Sequence, residues 1–188
     1  CPQSGAKGQV GFAASFDGVD DALHVPANAL NNLGAGTIAT WVYLNSNEEE
    51  TLFAKQHDGV DSYGVLSVGY TPRQAGEAGR VYFHAQSDSQ LLQSQTTLQT
   101  GQWQHVAVTF DGASATLYIN GKEDAAITGS AGLSIPDDLN VTATTLGAHL
   151  GTAGGRYLSG RLDEFTIYHR ALTKPEIKRL YNAQNAWA

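Results

Sequence analysis

The chain has 188 residues, is 41% hydrophobic, and carries 18 Asp+Glu against 11 Lys+Arg, a formal net charge of -7. That balance excludes nucleic acid as a partner, since phosphate recognition draws on clustered Lys and Arg. No apolar run approaches the ~20 residues of a membrane-spanning helix, so no membrane insertion is expected. The length suits one domain of the larger all-β kind, and the acidity suits an extracellular or cell-surface setting rich in cations.

Residues 1–10 are small and polar and read as an arm. Cys1 is the single cysteine, so it forms no internal disulfide. Three readings of it stand: the end of an excised segment, a thiol whose partner lies upstream in a longer chain, or a lipid-modified residue. No Met and no charged-then-apolar leader are visible, as in a mature product or a piece of something longer. Residues 11–16 and 22–26 read as short strands around the acidic turn Asp17-Gly18-Val19-Asp20-Asp21. Residues 37–44 form the first strong strand, with Ile38, Val42 and Leu44 on one face and Ala39, Trp41 and Tyr43 on the other. Both faces are largely apolar, so cover on both sides is expected. Glu48-Glu49-Glu50 reads as a solvated turn.

Strands follow at 52–55 and 63–69, joined by a loop with Asp58 and Asp61. Residues 80–86 alternate, Val81, Phe83 and Ala85 against Tyr82, His84 and Gln86. The first set predicts core, the second a surface on which a sugar ring can stack and hydrogen-bond. Residues 103–110 and 114–120 make the strongest hairpin, with Val106, Val108, Phe110, Leu117 and Ile119 on one face. The pairs Asp111-Gly112 and Asn120-Gly121 mark its corners. Further strands are expected near 125–128, at 141–147 and within 157–170. The chain then changes period. Thr173 and Glu176 form a capping box, Leu172 and Ile177 a hydrophobic staple, and Ile177, Leu180 and Tyr181 one stripe, which predicts a helix over 174–183. The expected fold is all-β, a two-sheet antiparallel jelly-roll sandwich with one short C-terminal helix, in a single domain over 1–188 with its core at about 8–183.

Five segments in order carry a family resemblance: Gly11-Phe12-Ala13 with Phe16-Asp17-Gly18-Val19-Asp20-Asp21; Thr37-Ile38 with Trp41-Val42; Gly101-Gln102-Trp103-Gln104-His105-Val106 through Asp111-Gly112; Leu117-Tyr118-Ile119-Asn120-Gly121; and Leu162-Asp163-Glu164-Phe165 with Ile167-Tyr168 and Arg170-Ala171-Leu172. The series resembles the concanavalin A-like, laminin-G-type jelly roll in its bacterial, pentraxin-like form, and the likeness runs from about Gly8 to Tyr181. It implies two antiparallel sheets, one concave, in a module of a larger secreted or surface protein with flanking domains. It implies binding of glycans, proteins or proteoglycans, usually without catalysis. Cys1-Pro2 is similar to the lead-in of tandem versions. A structural calcium is often found in related proteins where the first and last strands meet, and Asp17, Gly18 and Asp163 match that place, with Asp20 as a weaker candidate.

The residues themselves leave two readings of the acidic turn open. Carboxylates and a backbone carbonyl suit calcium, while Asp17 and Asp20 also suit plain capping of turn N–H groups. Asp58 and Asp61 are a second, weaker cation loop. Tyr82, His84, Gln86, Tyr70, Arg73, His149 and Tyr157 are candidate ligand-binding residues, against the reading that scattered exposed aromatics are ordinary surface. Trp41 and Trp103 are expected in the core, and Trp187 as incidental. Glycoside hydrolysis needs two carboxyl groups on either side of the bond, and no strand here alternates acids on one face. Tyr82, His84 and Arg156 can be imagined in a lyase, though no spacing demands it. The sequence thus points to a non-catalytic extracellular binding or adhesion module for carbohydrate with a structural calcium. Its alternatives are a spacer contacting a cell-surface or matrix protein, and, further off, a polysaccharide hydrolase or lyase.

Overall fold

The computed structural model describes residues 1–26, 33–57, 62–71, 74–85, 91–135, 141–150 and 155–186. In chain order the first strands are β1 (Gln3–Lys7), β2 (Phe12–Asp17), β3 (Leu23–His24), β4 (Gly36–Leu44), β5 (Glu50–His57) and β6 (Ser62–Val68). Then come β7 (Tyr70–Thr71), β8 (Gln74–Ala75), β9 (Arg80–His84), β10 (Leu91–Thr97), β11 (Trp103–Phe110) and β12 (Gly112–Ile119). The last are β13 (Lys122–Leu133), β14 (Val141–Leu146), β15 (Ala148–His149), β16 (Arg156–Tyr157) and β17 (Ser159–Tyr168), followed by helix α1 (Lys174–Asn185). They form a seven-stranded sheet ordered β1-β2-β17-β4-β11-β12-β13 and a six-stranded sheet ordered β10-β9-β6-β5-β14-β3. Two short hairpins, β7–β8 and β15–β16, stand apart from both. The pairing throughout these sheets is antiparallel, and the first and last long strands meet, β2 against β17.

Alternation explains the sandwich. Ile38, Val42 and Leu44 from β4, with Val106, Val108, Phe110, Leu117 and Ile119 from the β11–β12 pair, share one buried core with Leu52, Phe53, Leu66, Val68, Val81 and Phe83 of the second sheet. Phe83 stacks on Phe110 across the sandwich at 5.6 Å. The other face of β4 is covered too, as its double apolar pattern predicts. Ala39, Ala107, Tyr118, Leu172 and Ile177 form a second cluster under α1. Ile177 is fully buried there, a contribution of about 2 kcal/mol. Trp41 stacks on Tyr181 at 5.4 Å and donates its indole N–H to Gln184 Oε1. At the helix start the Thr173 N–H and hydroxyl both donate to Glu176 Oε2, and Arg170 pairs with the same carboxylate at 2.8 Å. These contacts hold the Glu176 carboxyl down at about 2.

Several expectations need correction. The N-terminal arm contains a strand, because β1 pairs with β2. Between the strands expected at 63–69 and 80–86 lies a short β7–β8 hairpin. Glu50 is not in a solvated turn: it opens β5 and is buried. Trp103 is not a core residue. It lies half-buried on the outer face of the seven-stranded sheet beside Tyr43 at 5.6 Å, with the Arg161 guanidinium 4.0 Å from the Tyr43 ring.

Candidate functional site

The acidic turn gathers three carboxylates. One ligand atom each from Asp17, Asp20 and Asp21 falls within 4.8 Å of the others. Asp17 and Asp20 are exposed, while Asp21 is buried. Asp17 Oδ1 accepts the Val19 N–H at 2.8 Å, an Asx-type turn. Asp21 Oδ2 accepts the Asp17 N–H at 3.0 Å, and its Oδ1 lies 2.9 Å from the Cys1 ammonium. That ammonium holds the Asp21 carboxyl below its ordinary range. The turn therefore both caps its own backbone and leaves oxygens convergent. In the sequence Asp21 is not distinguished from the rest of the turn; the strand that brings Cys1 to it comes from outside the local motif.

Asp163 is not part of that cluster. Ser159 faces Asp17 and Leu162 faces Ala14 in the β2–β17 register. Asp163 is four residues beyond Ser159, about 13 Å along the strand. Its Oδ2 accepts the Val10 N–H at 2.7 Å and its Oδ1 the Glu164 N–H at 2.8 Å. A Cβ on Gly8 would come within 2.4 Å of Oδ2, so glycine permits the approach. Asp163 does fasten the chain's beginning to its last strand, but by direct hydrogen bonds.

The expected sugar-facing residues are mostly covered. Tyr82 and His84 are each 4% exposed, His149 6%, and Tyr70 0%. The phenol oxygen of Tyr82 accepts the Glu77 N–H at 2.9 Å, and Gly76 of the same segment packs against its ring. Alternation along β9 sets Tyr82 and His84 apart from the core residues Val81, Phe83 and Ala85. It carries no signal for the segment at Gly76 and Glu77 that then folds across Tyr82. Gln86 and Arg73 lie outside the described residues, as do Asp58, Asp61 and Trp187.

The two hairpins meet at one seam. Tyr70, from β7, and His149, from β15, approach at 6.3 Å between rings. The Arg156 guanidinium, from β16, sits 4.6 Å over the Tyr70 ring and its Nε is 3.0 Å from Glu49 Oε2. Tyr70 shares a 2.5 Å hydrogen bond with Thr51. Burial pushes the Tyr70 phenol up and the His149 imidazole down to about 4, the nearby Arg156 charge adding to the latter. Beside this seam, burial raises the Glu50 carboxyl to about 7 although the Ser159 N–H donates to it at 2.6 Å. So Tyr70, His149 and Thr51 form a floor. Glu49 and Arg156 form the partly exposed rim above it, and half-buried Tyr157 follows Arg156 on β16. Glu49 on the rim and buried Glu50 beside it are not marked by the sequence, because a run of three acids looks like solvated loop until β5 is placed.

Residues 17–178 match the family model described as the concanavalin A-like lectin/glucanases superfamily. The chain belongs to that superfamily. No curated protein sequence matches it. Among solved structures it is similar to domain 4 of AbnA, an extracellular GH43 arabinanase from Geobacillus stearothermophilus, in complex with arabinotriose. That likeness has 22% identity, TM-score 0.73, and covers 96% of this chain and 81% of that one. It is similar to the CBM40 of a Ruminococcus gnavus IT-sialidase bound to α2,3-sialyllactose at 16% identity, TM-score 0.68, covering 90% and 97%. A heptameric SAP-like pentraxin from Limulus polyphemus aligns at 14% identity, TM-score 0.66, covering 93% and 83%. At these identities the likenesses establish the jelly-roll fold. Among the described residues no helix is long and apolar enough to cross a membrane.

Proposed function

We propose that this domain is a non-catalytic, extracellular binding module that holds a carbohydrate at the seam between its two hairpins. The observation that carries the reading is the rim of Arg156 and Glu49 over a rigid floor of Tyr70 and His149, with half-buried Tyr157 next to Arg156 on the same strand. A half-buried phenol offers an apolar face to sugar C–H groups, and the guanidinium and carboxylate offer donors and acceptors to hydroxyls. The names of its structural neighbours, an arabinanase domain with arabinotriose and a CBM40 with sialyllactose, support that ligand class. Burial raises the Glu50 carboxyl to about 7, but the residue is 3% exposed and accepts the Ser159 N–H. Glu49 directly precedes it in sequence, so the pair does not match two carboxyls flanking a scissile bond. Glycan-array screening tests this reading: binding to a defined glycan without release of reducing ends is expected, and reducing ends released from that glycan would overturn it.

We also infer a structural calcium at Asp17, Asp20 and Asp21, with the Gly18 carbonyl available on the same turn. Calcium–oxygen distances of ~2.3–2.6 Å place the oxygens of one shell up to about 5 Å apart, which the 4.8 Å grouping satisfies. Calcium at a hundredfold excess over its Kd would stabilise by about 2.7 kcal/mol, a rise in Tm of about 5–10 °C for a chain of this size. Calorimetric melting should show that rise, EDTA should reverse it, and Asp17→Ala should abolish it. Asp163→Ala should lower Tm by a similar amount whether or not calcium is present, since its loss strands the Val10 N–H. Equal melting of calcium-loaded and EDTA-treated protein would contradict the metal assignment.

A further inference from the structure

A cleft of about 380 Å³ lies between the turn joining β12 to β13 and one face of α1, far in sequence and in element from the hairpin seam. The geometry points to this cleft as a second binding site, one for an anionic saccharide carrying carboxylate or sulfate groups. Its volume is within the ~300–1,000 Å³ of small-ligand pockets. The local sequence builds it. Asn120 and Gly121 both adopt positive φ, at 50° and 71°, the backbone of a tight hairpin turn. A Cβ on Gly121 would lie 2.9 Å from the Tyr181 side chain, so glycine lets the turn close against the helix. On α1, Lys174, Lys178 and Tyr181 recur at helical spacing and present one face to the turn.

Charge decides the ligand class. The chain has a net charge of -7, yet Lys122, Lys174 and Lys178 all line this one cleft. The remaining lysines of the sequence are Lys7 and Lys55. Glu123 pairs with Lys174 at 3.2 Å. Among the described residues Lys122 and Lys178 have no ion-pair partner, and both are exposed. Two uncommitted ammonium groups flank a cleft whose other walls include the amides of Asn120 and Asn182 and the ring of Tyr181. Ammonium groups act as point charges for an anion, amides suit hydroxyls, and the aromatic wall suits a sugar's apolar side. The choice of a saccharide rests on the carbohydrate-binding reading above; the choice of an acidic one rests on this cleft alone.

The test is calorimetric titration with three probes: trigalacturonate, a sulfated disaccharide and neutral arabinotriose. At least one acidic probe should bind, added salt should weaken it, and Lys122→Ala/Lys178→Ala should weaken it about tenfold or more. Which acidic probe binds identifies carboxylate or sulfate as the source of charge. Both lysines are exposed, so the double variant should melt like the parent; Lys122→Glu alone gives a second check if it does not. Failure of both acidic probes, equal binding of the neutral probe, or unchanged affinity in the lysine variants would overturn the proposal. So would loss of acidic-probe binding in Arg156→Ala/Tyr157→Ala instead, a result that moves the ligand to the seam and leaves the carbohydrate-binding reading standing.

Discussion

Gly69→Ala is expected to cost about 3 kcal/mol or more of folding stability, the largest effect expected from a Cβ added at any of the described glycines. Gly69 joins β6 to β7 with φ +74°, and an added Cβ would lie 1.2 Å from the Glu48 carbonyl oxygen. No side-chain rotation relieves that, because the obstacle is backbone. The N–H of Gly69 also donates to the Arg80 carbonyl at 2.9 Å, and its own carbonyl accepts from Gly76 at 2.8 Å. Moving the residue therefore disturbs two links at once. Tyr70, the floor of the seam, is the next residue, so the substitution should damage glycan binding along with stability. Urea unfolding measures the first effect. A loss under about 1 kcal/mol would mean that the β6–β7 junction can relax away from the Glu48 carbonyl.

Stability should also fall in mild acid, and His105 should account for much of the fall. His105 lies under α1 with Trp41 at 5.4 Å and Tyr181 at 5.9 Å, and burial depresses its imidazole to about 4. Unfolded, the ring protonates near 6.5. As pH falls below that value the unfolded chain takes up a proton that the folded chain refuses, so stability declines down to about pH 4 and then levels. The full effect is on the order of 3 kcal/mol. His149, also lowered to about 4, acts in the same direction. Glu50 acts oppositely: its carboxyl is raised to about 7, so the folded state binds its proton more readily and stability rises as pH falls from 7 to about 4.5. One histidine is thereby offset over much of that window and the other is not. His105→Phe should flatten the profile. Urea midpoints at pH 7 and pH 4.5 decide it, and parallel declines in parent and variant would remove His105 as a cause.

What the sequence reveals tracks how local the physics is. The helix is legible because Thr173, Glu176, Leu172 and Ile177 act within one turn of chain, and α1 begins at the expected residue. The strand Trp103–Phe110 is legible because its alternation and its Asp111-Gly112 corner are local as well. The meeting of first and last strands comes through the family pattern, and β2 does pair with β17. Register across that pair is not local. One residue of slip carries a side chain about 3.3 Å, and four residues separate a shared metal site for Asp17 and Asp163 from two independent fastenings. Burial of Tyr82 and Tyr70 is a further case. Alternation along β9 sets Tyr82 apart from Val81 and Phe83, and Gly76 and Glu77 then cover it, while Tyr70 is covered by His149 and Arg156 of the β15–β16 hairpin.

Carbohydrate binding at the hairpin seam is the central claim. Its most direct measurement is calorimetric titration of a glycan bound on the array, with the parent domain and with Arg156→Ala/Tyr157→Ala. With a neutral glycan, saturable one-site binding by the parent is expected, at least tenfold weaker in the variant, with the two proteins melting within a few degrees of each other. Undiminished affinity in the folded variant would contradict it.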